Sequence, residues 1–118
     1  MTDNEITIFH NPACTTSRNV LAAIREHGRE PKVIEYLKVG WTKAQLKDLF
    51  QRMGVSPREA MRARGTPAEE LGLTKPSATD EAILQAMTEH PVLVERPIVV
   101  SPKGAALCRP VEKVQALL

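Results

Sequence analysis

Aromatic residues are scarce in this chain: one Trp, one Tyr and two Phe among 118 residues. So few rings cannot build the stacking platform on which proteins hold single-stranded nucleic acid. An excess of charge is lacking too. Sixteen Lys and Arg against fourteen Asp and Glu leave a formal +2, too little to suggest a nucleic-acid or membrane partner. No apolar run approaches the roughly 20 residues that cross a bilayer. Met1-Thr2-Asp3-Asn4-Glu5 is acidic and without the apolar core of a secretory signal, so a cytoplasmic location is expected. Cys14 and Cys108 are the only cysteines, and in that compartment they read as free thiols. There is no glycine-rich Walker or dinucleotide loop. His10, Asn11 and Cys14 lack zinc spacing, so no metal site is expected. Ser17 stands where a C-x-x-C pair would carry its second sulfur, which disfavours a self-contained dithiol oxidoreductase.

What is present reads as one globular domain over residues 1–118, with 42% apolar and 25% charged residues. Residues 5–10 alternate as a short strand that Asn11-Pro12 ends. Residues 15–27 read as a helix with Val20, Leu21 and Ile24 as its apolar stripe and Gly28 as its stop. Residues 32–37 form a second strand, so the opening is β-α-β with a parallel pair. Three helix-start signatures follow: Thr42 with Gln45, Ser56 with Glu59, Thr66 with Glu69. Leu46, Leu49, Phe50 and Met53 give the first its buried face. Thr79 starts another helix that His90-Pro91 ends. Residues 42–90 are thus expected as a helical insertion. Strands at 97–100 and 105–108 come next, joined by the turn Pro102-Lys103-Gly104, and a last helix opens at Arg109-Pro110. The order β-α-β, helices, β-β-α predicts an α/β, thioredoxin-like fold with a mixed sheet.

Cys14 falls in the turn that starts the first helix. Unpaired N–H groups and the positive end of the helix dipole lie there, and they lower a thiol pKa and bind oxyanions. Thr15, Thr16 and Ser17 add hydroxyls to the same turn. Arg62, Arg96 and Arg109 each occur where the chain should return to the cysteine end of the fold. Three planar, bidentate guanidiniums around a thiolate would suit a tetrahedral oxyanion.

These residues carry a resemblance. HNPACTTSRNVL at 10–21 and RPIVVSPKGAALCRP at 96–110 closely resemble segments of the glutaredoxin-dependent arsenate reductase family, and MRARGTPAEELGL at 61–73 resembles it more loosely. The resemblance implies a thioredoxin-like fold, no bound cofactor, and arsenate reduction with electrons from glutathione and glutaredoxin as partners. It implies that Cys14 is the catalytic cysteine and that Arg62, Arg96 and Arg109 surround it. His10 and Ser17 match polar residues near the thiolate. A monomer without nucleic-acid or membrane partners is expected. One departure is Thr15, which stands where many family members have Gly and narrows the conformations open to the turn.

Two other readings stay open: a glutathione-linked or redox-sensing thiol protein without arsenate activity, and an RNA polymerase-binding regulator of the related Spx type. Ser17, in place of a second cysteine, and Arg109 argue against the regulator. Three expectations follow. Cys14 should titrate well below a free thiol. Sulfate, phosphate or arsenate should bind at its turn with at least two of the three arginines. The Arg96–Pro97 bond should be cis, as thioredoxin-like folds have it at the entry to the third strand.

Overall fold

A computed structural model describes residues 5–118, so the reading of residues 1–4 above lies outside the described residues. The chain forms two compact units. One combines the chain up to Val39 with Arg96–Leu118, and the other is Gly40–Glu95.

The first unit is built on a four-stranded sheet in the order β2-β1-β3-β4. Its strands are β1 (Thr7–His10), β2 (Lys32–Glu35), β3 (Ile98–Ser101) and β4 (Gly104–Leu107). β1 runs parallel to β2 and antiparallel to β3, and β3 pairs antiparallel with β4. The sheet is mixed and the topology thioredoxin-like, as the element order predicted. Helix α1 (Thr15–Glu26) makes the β-α-β crossover. Ile6, Ile8, Val20, Ile24 and Val99 close one core with Cys108, Val114 and Leu117. The helix stops where the apolar stripe stops: Gly28 takes φ +79°, and its N–H donates to Arg25 O at 3.0 Å.

Three details of this unit differ from the sequence reading. The second strand ends at Glu35 instead of residue 37, and Tyr36–Val39 forms one helical turn, α2. Glu35 pairs with His10, the last residue of β1, so β2 has no neighbour beyond it. The last segment, Val111–Leu117, is a 3₁₀ helix and not an α-helix. Its apolar residues Val111, Val114 and Leu117 recur every three positions, which is the 3₁₀ period. Cys108, placed in a strand by the sequence reading, lies just past β4, its N–H donating to Pro97 O at 2.9 Å.

The second unit is helical. α3 (Lys43–Met53) and α4 (Pro57–Ala60) both open with a complete capping box, Thr42 with Gln45 and Ser56 with Glu59. α5 (Asp80–Glu89) is capped by Thr79 and packs against α3, α4 and a 3₁₀ turn at Pro91–Leu93. Leu46, Leu49, Phe50, Ile83, Leu84 and Met87 are buried. The third start signature opens no helix. Pro67 begins a single turn, with Leu71 N–H on Pro67 O, before Gly72 turns the chain at φ +74°. Thr66 Oγ1 donates to Arg62 O at 2.7 Å and accepts from Ala68 N–H at 3.3 Å. Four residues between Pro67 and Gly72 are too few to propagate a helix. The unit extends to Glu95 because Met61 bridges Val94, which keeps the chain with the helices past residue 90.

Among the described residues, no helix is long and apolar enough to cross a membrane.

Candidate active site

The turn before α1 is tightly pinned. Asn11-Pro12 ends β1, and Cys14 N–H donates to Asn11 O at 3.0 Å. Ala13 N–H donates to the Asn11 side-chain oxygen at 3.0 Å, an Asx turn that fixes the approach to the cysteine. Cys14 is the N-cap residue of α1, but its side chain makes no capping bond. The sulfur is partly exposed and in no disulfide.

Opposing effects act on this thiol. Partial burial raises its pKa. The Ser17 backbone N–H, the Arg96 guanidinium and the Thr16 backbone N–H lower it, and they prevail, so Cys14 titrates below its ordinary value. The helix start thus acts through main-chain donors. The hydroxyls do other work: Thr15 Oγ1 accepts from Arg18 Nη2 at 3.2 Å, and Ser17 Oγ shares a 2.6 Å hydrogen bond with His10 Nδ1.

His10 is buried at the end of β1. Burial holds its pKa below the ordinary imidazole value. Glu35 works against this lowering, while Arg25 and Arg18 add to it. Burial thus works against a positive charge on the ring beside the thiol. The ring anchors Ser17, whose Oγ also accepts the Asn11 N–H at 3.1 Å, tying β1 to the first turn of α1.

Two of the three arginines converge here. Arg109 follows β4, and its Nη1 lies 3.9 Å from Cys14 Sγ and donates to Arg96 O at 3.4 Å. Arg96 directly precedes β3. Its Nε and Nη1 are buried with no hydrogen-bond partner. Such buried donors are costly while they lack an acceptor. The Arg96–Pro97 bond is cis, as expected, and so is Arg109–Pro110, which the sequence reading did not foresee. Arg62 makes its contacts within the other unit. Its Nη1 pairs with Glu95 at 3.1 Å, and its Nε donates to Arg64 O at 3.1 Å.

Asn11 and Arg18 escaped the sequence reading. Arg18 Nη1 donates to Pro12 O at 2.8 Å, so with Thr15 it spans the cysteine loop. The Asn-Pro dipeptide, and an Arg four residues after the cysteine on a helix start, were the signals available. Among the described residues, no three His, Cys, Asp or Glu side chains are grouped to hold a metal ion.

Known proteins match this chain over nearly its whole length. Residues 9–117 match the ArsC family model. An arsenate reductase of Synechocystis sp. is 55% identical over 118 residues, all of this chain and 82% of that protein. The arsenate reductase of Escherichia coli K12 is 48% identical over 115 residues, 98% of this chain and 82% of that protein. A solved structure of an arsenate reductase from Vibrio cholerae superposes with a TM-score of 0.93 at 40% identity, covering 98% of both chains. With the family motif matched from the end of β1 almost to the last residue, and relatives this similar across its whole length, the chain belongs to the ArsC family.

Proposed function

We propose that this protein is an arsenate reductase of the cytoplasm, a single-domain monomer with Cys14 as its nucleophile and with glutathione and glutaredoxin as its electron source. Supporting the reading most strongly are the buried, unpartnered Arg96 nitrogens beside a thiol of lowered pKa. The arsenate reductase names of relatives about half identical in sequence support the same substrate.

In this mechanism arsenate enters with its oxygens on Arg96, Arg109 and, on the family resemblance, Arg62. The Cys14 thiolate attacks arsenic. An S–As(V) bond forms, an As–O bond breaks, and the oxygen leaves as water after taking up two protons. The guanidiniums and the Thr16 and Ser17 N–H groups stabilise the charge that builds on the remaining oxygens. His10 and Ser17 act as positioning residues that hold the turn. A glutathione thiolate then adds to arsenic with loss of a further oxygen as water. A glutaredoxin thiolate takes the glutathionyl sulfur as a mixed disulfide, and the electron pair of the As–S bond stays on arsenic, now As(III). Water cleaves the last S–As bond and releases arsenite and free Cys14. No cofactor is needed, because the thiols carry both electrons. Cys108 is fully buried and its pKa is raised to about 11, which suits a reaction resolved by an external thiol.

The test is arsenite formation from arsenate with glutathione and glutaredoxin supplied, alongside the Cys14→Ser protein. Turnover that needs Cys14 and both donors supports the reading. Turnover with thioredoxin alone would change the donor, and no turnover with any thiol donor would leave the glutathione-linked alternative.

A further inference from the structure

We propose that Glu95 sets how tightly the protein holds its oxyanion, by serving as the resting counter-ion of Arg62. The inference rests on the reading that Arg62 takes part in anion binding. Within the Gly40–Glu95 unit, an antiparallel bridge joins Met61 to Val94. It is flanked by Arg62 N–H on Leu93 O at 2.7 Å and Glu95 N–H on Ala60 O at 2.8 Å. In such a ladder, residues two apart share a face, so Arg62 and Glu95 are diagonal neighbours on one side. Arg62 Nη1 and Glu95 Oε1 meet at 3.1 Å with side chains only 20% and 24% exposed. Each of the other ion pairs among the described residues has a side chain at least 60% exposed. The sheltered pair is therefore the one least screened by solvent.

The two arginines thus rest in opposite conditions. Two buried nitrogens of Arg96 have no partner, whereas Arg62 is already neutralised by a carboxylate one residue away from Arg96. An anion that engages Arg62 must displace Glu95 or accept a like charge beside it. Both cost affinity. Glu95 is thus a positioning residue that holds the Arg62 fork in place and weakens anion binding.

The test is calorimetric titration of the full chain with inorganic phosphate, a non-reducible stand-in for arsenate. Glu95→Gln keeps an acceptor for Arg62 and removes only the charge. Phosphate should bind it about three- to tenfold more tightly at low salt, with the gain shrinking as salt rises. Glu95→Asp, which keeps the charge but withdraws it, should gain less. In an Arg62→Ala background the Glu95→Gln gain should vanish. Damage to the fold cannot tighten binding, so a gain separates this role from a structural one. If Arg62→Ala weakens phosphate binding but Glu95→Gln does not strengthen it, the Glu95 proposal fails alone. An undiminished gain in the Arg62→Ala background would also overturn it. If Arg62→Ala leaves phosphate binding unchanged, Arg62 is not an anion ligand and both readings fall.

Discussion

Cys14 and Cys108 belong to the same unit, yet their surroundings push their chemistry in opposite directions. Cys14 caps a helix, is partly exposed, and has the Arg96 guanidinium and two main-chain N–H groups against its sulfur. Cys108 sits in the apolar cluster with Ile8, Val99 and Val114, and only a weak 3.8 Å contact to Ala106 O meets its sulfur. Burial raises both thiols. At Cys14 the donors outweigh it. At Cys108 only the charge of Lys113 opposes it, and the pKa rises to about 11. The pair shows that the donors a thiol meets, and not its residue type, decide which way its pKa moves.

The sharpest way to break this comparison is to exchange the roles. Cys14→Ser should lower arsenite formation by roughly 10³-fold or more. Cys108→Ala should leave turnover nearly intact and cost about 1 kcal/mol of stability, the scale of a small core deletion. Denaturant unfolding and the arsenite assay, run on both proteins, read these two effects separately. Equal losses of turnover would mean that the buried thiol takes part in the chemistry.

Next in size are the donors themselves. Arg96→Lys keeps the charge but replaces a planar fork with a point donor. It should lower kcat/KM by roughly 10²-fold, the usual cost of one lost oxyanion donor. Arg109→Lys should cost less, about tenfold, because its Nη1 stands 3.9 Å from the sulfur, a weak contact, and also donates to Arg96 O. Steady-state kinetics with arsenate would show the ranking, and a neutral Arg96→Lys would detach the orphan nitrogens from function.

The smallest effect is one of sign. A thiol whose folded pKa is raised contributes stability below its unfolded pKa, about 8.5, and loses it as pH climbs toward the folded value. Cys108 should therefore destabilise the protein progressively between about 8.5 and about 11. Cys14 has a lowered folded pKa, so its contribution is present above about 8.5 and fades as pH falls through the folded value. Unfolding free energies of wild type and Cys108→Ala should converge and then cross on the alkaline side, because only wild type loses the contribution of the buried thiol. Parallel curves there would contradict the burial of the thiol.

Much of this was legible in the sequence. The β-α-β opening, the closing pair of strands, α1 and two of the three capping boxes follow from local periodicity and side-chain chemistry, and the structure has them. What failed did so for non-local reasons. Tyr36 and Leu37 look like strand residues, but their neighbour β1 has already ended at His10. Thr66 carries a start signature, yet its hydroxyl bonds back to Arg62 and Ala63 carbonyls. In the site, Cys14, Arg96 and Arg109 could be named from motifs. That Arg62 rests on Glu95, that burial disfavours a charged His10, and that the thiol meets main-chain donors instead of hydroxyls depend on distances that no spacing encodes.

The central claim is that Cys14 is a poised thiolate in an anion-binding turn, and its alkylation rate tests this most directly. The rate of iodoacetamide modification at Cys14, followed against pH with and without arsenate, should inflect below about 8.5. Arsenate should also slow it by occupying the guanidiniums beside the sulfur. An inflection at or above that value, with no protection by arsenate, would contradict the account.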